Sequence, residues 1–430
     1  MSTRELRALQ VPTWLDRVGL SALVLSTFTA TWGGIAGPFG SVADGLLLLS
    51  LLVCGTRFAC GTVRVQPPVW LWIPAVAILM CLTVQLFVGE QRYSAALRYE
   101  SFIVMSAKNE TRGAYWLIAL LLVPIAIITF TALDSRTPRF VLGAYLGGTC
   151  ASAAVAVSDL AGITNISGSL GLTAAGGRQF GLTNHPNTLG LTCAMTVPLA
   201  IYFLHTERRK WLLRVAIVLL FGGALASGSR GAQVAAPLAA VATVMFLPNR
   251  RASLRQLGAI AAVGMIAAAA IATIVAPDKL TELVRFGSDD FQGAGKSNTV
   301  RALVLNQAIA DFLRFPLFGL GLRHIVEAHN IYVQLLASGG VILLVSMIWY
   351  WGGAVVDGWK LYRSGESLAI PLMVSTGTWL VLGIVENQVT DRYLYYGIGC
   401  VAALVATRQQ QLRPRPRSRR SAAIVKAPVQ

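Results

Sequence analysis

The sequence predicts an all-α polytopic membrane protein with about twelve transmembrane helices and a long non-cytoplasmic loop, containing an amphipathic helix, before helix 10. Two observations predict this class. The 430 residues are 55% hydrophobic and only 13% charged, and the mean hydropathy is +0.62, whereas a soluble protein carries about twice that charged share. Apolar runs of about 20 residues also recur along the chain, each long enough to cross a bilayer.

Reading the apolar runs in order gives the predicted spans, which are 18–36, 40–54, 69–88, 115–133, 138–158, 188–205, 211–226, 231–248, 256–276, 331–351, 368–386 and 393–407. Lysine and arginine concentrate in alternate connections, for example at 208–210 and 250–255, and at both termini. The positive-inside rule therefore predicts that these connections and both termini are cytoplasmic.

The spans divide the chain into four parts. Residues 1–276 hold helices 1–9, 277–330 form a loop on the non-cytoplasmic side, 331–407 hold helices 10–12, and 408–430 form a basic tail. A connection as long as 277–330 usually marks a functional or lid-like element.

The net charge of +17 lies largely in the tail, where arginines alternate with Pro and Ser and no aromatic residue is interleaved. This pattern favours a disordered tail attracted to anionic lipid headgroups over binding to nucleic acid. The six cysteines form no CxxC pair, so we expect small buried side chains rather than a zinc site or disulfides.

Four stretches on the predicted non-cytoplasmic side carry unusual residues, and the first is GRQFGLTNHPNTLG at 177–190. Pro186 suits the first turn of helix 6, with Asn184 or His185 as its cap. Asn187 follows in that turn, and Arg178 lies in the same loop. The free N–H groups of such a helix start attract anions such as phosphate, although a simple capping histidine explains the pattern too.

The second stretch is SGSRGAQ at 227–233, in a very short connection. Gly228 and Gly231 permit a tight reversal that holds Arg230 near the membrane surface. An arginine that snorkels to lipid headgroups is one interpretation. Because the positive-inside bias disfavours arginine in this connection, a bound anion is the other.

The third stretch, residues 298–315, predicts an amphipathic helix in which Asn298 or Thr299 serves as the cap. Its two sides have different compositions: Asn306, Gln307, Asp311 and Arg314 on one, and Val304, Leu305, Ala308, Ile309, Phe312 and Phe315 on the other. Arg301 falls within the apolar side and therefore needs a partner. That partner is either a bound anion or one of the carboxylates Asp289, Asp290 and Glu327.

The fourth stretch, EAHNIYVQLLASGG, places His329 and Asn330 where span 10 begins. No neighbouring spacing supplies co-ligands, so no metal site is predicted. A neutral histidine can accept the proton of an attacking hydroxyl group. In the last turn on this side, Asp391 either pairs locally with Arg392 or, like Glu386, orients a catalytic histidine.

Together these motifs resemble the O-antigen ligase/O-antigen polymerase superfamily, over about residues 170–405. The similar segments are NHPN at 184–187, SRGA at 229–232, and G-x-G followed by HN-x-Y within 319–332. Arg301-Ala-Leu-Val-Leu305 resembles the R-x3-L element of the ligases, and His329-Asn330 with Gly340 resembles their H-N…G signature. Leu343 stands where that signature has Gly, Thr or Tyr.

The resemblance implies a bacterial lipopolysaccharide O-antigen ligase of the inner membrane. Such an enzyme transfers polysaccharide from undecaprenyl diphosphate to a sugar hydroxyl of lipid A–core at the periplasmic face, without metal, ATP or another cofactor. By this resemblance, Arg230 and Arg301 clamp the diphosphate, His329 activates or positions the acceptor, and Asp391 is a further catalytic residue. The loops add four substrate-binding candidates: Arg178, His185, Asn187 and Asn330.

Three other functions remain open. Two of them belong to the same superfamily, an O-antigen polymerase and a protein O-oligosaccharyltransferase, and would use the same roles for histidine and arginine. A twelve-span transporter is the alternative from another class, but it would carry ionisable residues near mid-membrane, whereas here they gather at one rim.

Overall fold

The computed structural model describes residues 13–37, 40–61, 63, 66–87, 112–172, 177–248, 250–259, 262, 294–322 and 327–412. We number the main helices α1 (Thr13–Phe28), α2 (Val42–Ala59), α3 (Ile73–Phe87), α4 (Arg112–Leu117, Ile118–Leu122 and Val123–Leu133, end to end), α5 (Thr137–Leu160), α6 (Pro186–Thr206), α7 (Lys210–Ala226), α8 (Arg230–Met245), α9 (Ala294–Arg314), α10 (Ile331–Arg363), α11 (Ala369–Leu382) and α12 (Tyr396–Leu412). Residues 250–259 are also helical. Two-residue strands, Ala36–Gly37 and Gly40–Ser41, pair antiparallel before α2.

The helical fold class is confirmed, and five of the described helices are long and apolar enough to cross a membrane: α2, α4, α5, α6 and α10. Helices α3 and α11 are apolar but shorter. The chain is thus a helical membrane protein. The count of twelve spans stays a prediction, because most of the ninth span, 256–276, lies outside the described residues. The same is true of the tail after residue 412, of His324 and of Asp289 and Asp290.

Helix α6 forms the centre of the bundle. Nearly all of its residues are buried, and it packs against α5, α7, α8 and α11, as expected for a helix that is apolar on every side. Its threonines satisfy their own hydroxyls within the helix: Thr192 donates to the Thr188 carbonyl at 2.8 Å, and Thr196 to the Thr192 carbonyl at 2.6 Å. A rigid central helix fixes the position of its first residues.

The helices alternate in direction, which gives the bundle two chemically different ends. Helices α2, α6, α8 and α10 begin at one end, which we call the upper end, and finish at the other. The opposite end, called the basic end, carries the connections 208–210 and 250–255. Arg57 pairs there with Asp16 of α1. The charge alternation predicted from the sequence therefore corresponds to two real ends of the fold.

Helix α4 contains a π-helical turn at Ile118–Leu122. The Leu120 carbonyl in this turn accepts a hydrogen bond from the Tyr350 hydroxyl of α10 at 2.9 Å. Because an inserted side chain of this kind satisfies a carbonyl that leaves the α-helical ladder, it accounts for the bulge.

Helix α9 corrects two expectations. It begins at Ala294, so neither Asn298 nor Thr299 is its cap. Asp311, predicted on the polar side, is buried together with Ala308, and burial raises its pKa to about 6. Ile309, on the predicted apolar side, is exposed. The side that meets α10 is thus rotated towards Asp311, which hydrogen bonding by Gln307 at 2.7 Å makes possible.

Candidate functional site

Helix α6 begins at the upper end with His185 as its cap, which is one of the two residues, Asn184 and His185, predicted for that position. His185 has an extended backbone, and its Nδ1 accepts a hydrogen bond from the Asn187 backbone N–H at 3.1 Å. Pro186 occupies the first helical position, where its missing N–H costs nothing. This imidazole therefore has a structural task that occupies one of its two nitrogens.

Asn187 lies in the middle of a buried polar chain. Its side-chain oxygen accepts a hydrogen bond from the Arg178 guanidinium, and its amide donates to Glu386 Oε2 at 3.0 Å. Arg178 Nε donates to the Ser227 carbonyl at 2.9 Å. These hydrogen bonds join the loop before α6 to the end of α7 and to the loop after α11, so the Arg178 guanidinium and the Glu386 carboxylate are each held in one orientation.

Gly228 makes this arrangement possible. Its φ is +60°, and a Cβ atom there would lie 2.9 Å from Arg178 Cγ. A side chain would therefore meet both the strain of the left-handed region and a clash with Arg178. The reversal predicted for SGSRGAQ is present, and one of its functions is to admit Arg178.

Glu386 is the central carboxylate of the upper end. It is only 4% exposed, and burial raises its pKa, an effect that Arg301, Asn187 and Arg178 oppose. The sequence predicts Glu386 as a carboxylate beside the last turn that orients a catalytic histidine, but it does not predict the burial of Glu386. Its burial depends on how α11 packs against α6, which no local pattern encodes.

Helix α10 begins with Asn330, whose side-chain oxygen accepts hydrogen bonds from the N–H groups of Tyr332 and Val333, both at 3.1 Å. The Ile331 N–H donates to the Gly383 carbonyl at 2.7 Å, which ties the start of α10 to the end of α11. Asn330 is thus a cap, and it leaves the preceding histidine free of that task.

His329 is held in an unusual backbone conformation. Among the described residues it is the one non-glycine with positive φ, +48°, a region that costs a non-glycine residue about 1–2 kcal/mol. Its Nδ1 is buried and makes no hydrogen bond to any described group. Strain and an uncommitted buried nitrogen at one residue are typical of a functional position.

The segment before His329 docks into a break in α10. At Gly340 the helix has φ +65° and ψ −163°, and a Cβ there would lie 2.2 Å from the Leu317 carbonyl. The break frees the Ala337 carbonyl, which accepts the Leu320 N–H at 2.8 Å. The glycine of the H-N…G resemblance therefore lets residues 316–321 pack against the break in α10.

Leu343, the residue that departs from this signature, is fully buried. Its side chain covers Gly339, where a Cβ would meet it at 2.4 Å. The departure thus fills space behind the break, inside the bundle.

The two histidines and two of the predicted arginines share one electrostatic environment. Burial, and then the charge of Arg301, lower the pKa of His329 to about 4, against the opposing effect of Glu327. His185 is partly open to solvent, yet desolvation by the surrounding protein, and then Arg178, His329 and Arg301, also lower its pKa to about 4. Both imidazoles are therefore neutral at neutral pH.

Arg301 is half-buried, and its Nε makes no hydrogen bond to a described group. Glu327, one of the partners considered from the sequence, accepts a hydrogen bond from the Asn387 amide at 2.9 Å. A half-buried guanidinium such as that of Arg301, whose Nε–H makes no hydrogen bond to a described group, is suited to binding an anion. Arg230 is exposed and reaches Asn298 of α9 at 3.4 Å, one helical turn before Arg301.

Asp391 does not join this group. Arg392 pairs with Asp44 at the start of α2 and donates to the Ser41 hydroxyl, so the local Asp391–Arg392 pair is not how Arg392 is neutralised. Asp391 instead lines a cavity of about 600 Å³, together with Asn184 and Glu327.

The structure thus brings together five of the predicted site residues, and they are Arg178, His185, Asn187, Arg301 and His329. Asn330 supports His329 from the next position, Arg230 lies beside α9, and Asp391 belongs to the neighbouring cavity.

Comparison with known proteins adds one match. Residues 215–348 match the family described as O-Antigen ligase, a stretch that contains Arg230, Arg301, His329, Asn330 and Gly340. No curated protein matches the chain in a sequence search. Over residues 215–348 the chain is therefore similar to the O-antigen ligase family, in agreement with the motifs that resemble the O-antigen ligase/O-antigen polymerase superfamily.

Proposed function

We propose that the protein is a glycosyltransferase that moves O-antigen polysaccharide from undecaprenyl diphosphate to a sugar hydroxyl of lipid A–core, and so completes lipopolysaccharide. The observation that carries the proposal is the juxtaposition of His329 with Arg301 inside the matched family domain. A neutral base beside a guanidinium suits a reaction in which a hydroxyl attacks and a diphosphate leaves.

In the proposed step, the acceptor oxygen bonds to the anomeric carbon of the donor sugar while the bond from that carbon to the phosphate oxygen breaks. The hydroxyl proton passes to the neutral imidazole of His329, which also orients the hydroxyl. Arg301 and Arg230 stabilise the diphosphate that leaves. Arg178, fixed by Ser227 and Asn187, adds positive charge at the same end of the bundle.

Helix starts contribute to this environment. Helices α6, α8 and α10 all begin at the upper end, and the partial positive charge of each start favours an anion there. The charges of Arg178 and Arg301 both act on Glu386, the buried carboxylate that accepts a hydrogen bond from the Asn187 amide.

The proposal includes an orientation: the protein lies in the bacterial inner membrane with both termini in the cytoplasm and its site at the periplasmic face. The basic connections at the end opposite His329 support it. Labelling of single cysteines in intact cells tests this, with a cysteine at Asn184 expected to react with an impermeant reagent and one at Glu207 expected not to.

The direct test uses purified protein, undecaprenyl diphosphate-linked polysaccharide and lipid A–core, with a chelator present. The proposal expects a glycolipid of higher mass together with released undecaprenyl diphosphate. Movement of a solute across liposomes without glycan transfer would instead support the transporter.

The O-antigen polymerase is the nearest alternative, because the family covers ligases and polymerases. Lipopolysaccharide from a deletion strain separates them. Bare lipid A–core with accumulated lipid-linked polymer indicates a ligase, whereas a single-repeat cap indicates a polymerase. Transfer to a purified protein acceptor would favour the protein O-oligosaccharyltransferase.

A further inference from the structure

The cavity beside the histidines has two chemically different parts. Its volume is about 600 Å³, within the usual range for small-ligand sites. One wall is apolar and comes from α2 and α4, with Leu47, Leu48 and Leu51 among its residues. Leu48 is 59% exposed, so this wall continues onto the outer surface of the bundle, where lipid chains would contact it.

The other part of the cavity is polar and acidic. Asp391, Glu327 and Asn184 line it, and the one arginine there, Arg392, is paired with Asp44. Arg178, Arg230 and Arg301 are not among its lining residues. Carboxylates and amides accept hydrogen bonds from sugar hydroxyls, and the negative charges of the carboxylates repel a diphosphate. The lining therefore fits an uncharged sugar and disfavours the leaving group of the donor.

Two hydroxyl groups add to the polar part of the cavity. Tyr393 lines the cavity and is only 5% exposed, and its hydroxyl lies beside that of Thr188, which also lines the cavity. Hydroxyl groups can donate hydrogen bonds to sugar hydroxyls and accept hydrogen bonds from them.

The polar part of the cavity leads to the proposed site. Glu327 lies two residues before His329, and Asn184 directly precedes His185. The charge of Glu327 raises the pKa of both histidines, against the opposing effects of burial and of the arginines. A sugar hydroxyl held beside Glu327 would thus be near the imidazole that takes its proton.

We infer that this cavity binds the acceptor, a membrane-anchored glycolipid whose uncharged sugar lies against Asp391, Glu327 and Tyr393 and whose lipid chains follow the leucine wall of α2. The inference rests on the proposed function and assigns Asp391 to acceptor binding rather than to the chemical step. Donor and acceptor then approach His329 from differently charged surroundings, which prevents either from occupying the place of the other.

The test is a comparison of steady-state constants for Leu48→Trp and Leu52→Trp. Both residues lie on the exposed face of α2, at 59% and 60% exposure, but only Leu48 lines the cavity. We expect Leu48→Trp to raise the KM for lipid A–core by about tenfold, a loss of about 1.4 kcal/mol in binding, while the KM for the lipid-linked donor stays unchanged. Leu52→Trp should behave as wild type.

Asp391→Asn provides a second test, because it removes a carboxylate without adding bulk. It should raise the KM for lipid A–core with little change in kcat. An unchanged acceptor KM in both cavity variants, or an increase confined to the donor KM, would overturn the inference while wild-type transfer leaves the proposed function intact. A wild-type protein that transfers no glycan would overturn both.

Discussion

Two helix starts at the upper end each carry a histidine, and the two histidines differ in their structural roles. His185 has an extended backbone and uses Nδ1 to cap α6. His329 has φ +48°, its Nδ1 is uncommitted, and Asn330 caps α10 in its place. Since desolvation lowers both pKa values to about 4, electrostatics alone does not distinguish them. The difference teaches that capping, not charge, separates a structural histidine from one available for chemistry.

The largest expected effect is the loss of transfer in His329→Gly. Removing a general base lowers a rate by about 10²–10⁴-fold, whereas glycine at a positive φ removes strain of about 1–2 kcal/mol. The variant should therefore be nearly inactive and thermally more stable than wild type, as measured by glycan transfer and by the melting temperature in detergent.

His329→Asn is the matched control, because asparagine tolerates the left-handed region but is no base at neutral pH. It should be as inactive as the glycine variant and close to wild type in stability. A His329→Asn variant that transfers glycan at the wild-type rate would remove the distinction between the two helix starts.

The next effect concerns the charge beside His329. Burial is the main cause of the lowered pKa of His329, and the charge of Arg301 is the next cause. Arg301→Gln should therefore raise that pKa from about 4 part of the way towards its usual value. Because the neutral form is the one that accepts a proton, transfer by wild type should decline only as the pH falls towards 4, and in Arg301→Gln it should decline at higher pH.

Nuclear magnetic resonance of labelled histidine measures this pKa directly, since the chain has only four histidines. Arg230→Gln is the control, because Arg230 is not among the charges that shift the pKa of His329. An equal shift in both variants would show that Arg301 has no special relation to His329.

A smaller effect is expected for the structural histidine. His185→Ala removes the cap of α6 and should lower the free energy of unfolding by about 1 kcal/mol. His185→Asn restores a good capping side chain and should recover that stability. If His185→Asn instead abolished transfer while folding normally, His185 would have a chemical task that its cap geometry does not reveal.

The smallest expected effect is a change in stability in Glu386→Gln. Burial raises the pKa of Glu386, so the protonated carboxyl is favoured in the folded state. The contribution of this protonated form to the free energy of unfolding is lost as the pH rises through the folded-state pKa. The neutral glutamine should raise the melting temperature near neutral pH and reduce its pH dependence, and it keeps an acceptor for the Asn187 amide. A lower melting temperature would indicate that the charge of Glu386 is needed to hold Arg178 and Arg301.

The sequence predicted the parts of this site that depend on local signals. The start of α6 at Pro186, the cap by His185 and the boundary at Asn330 follow from short-range patterns. The helical class follows from apolar runs. What escaped prediction depends on long-range packing: the pairing of Arg392 with Asp44, the burial of Glu386 and the rotation of α9 that buries Asp311.

The motif glycines lie between these cases. The resemblance identifies Gly340 as part of the signature. Why glycine is needed there is seen only from the structure, in which α10 breaks at Gly340 and receives the Leu317 backbone. The positive φ at His329 could not be predicted either, because histidine is not a residue type that indicates a left-handed backbone.

The central claim is that His329 accepts or holds the acceptor proton, and chemical rescue tests it most directly. His329→Gly leaves room for a small base, so added imidazole should restore part of the transfer rate in proportion to the neutral imidazole present, and should not restore His185→Ala or Arg301→Gln. No rescue at any imidazole concentration or pH, with donor and acceptor binding intact, would contradict the claim.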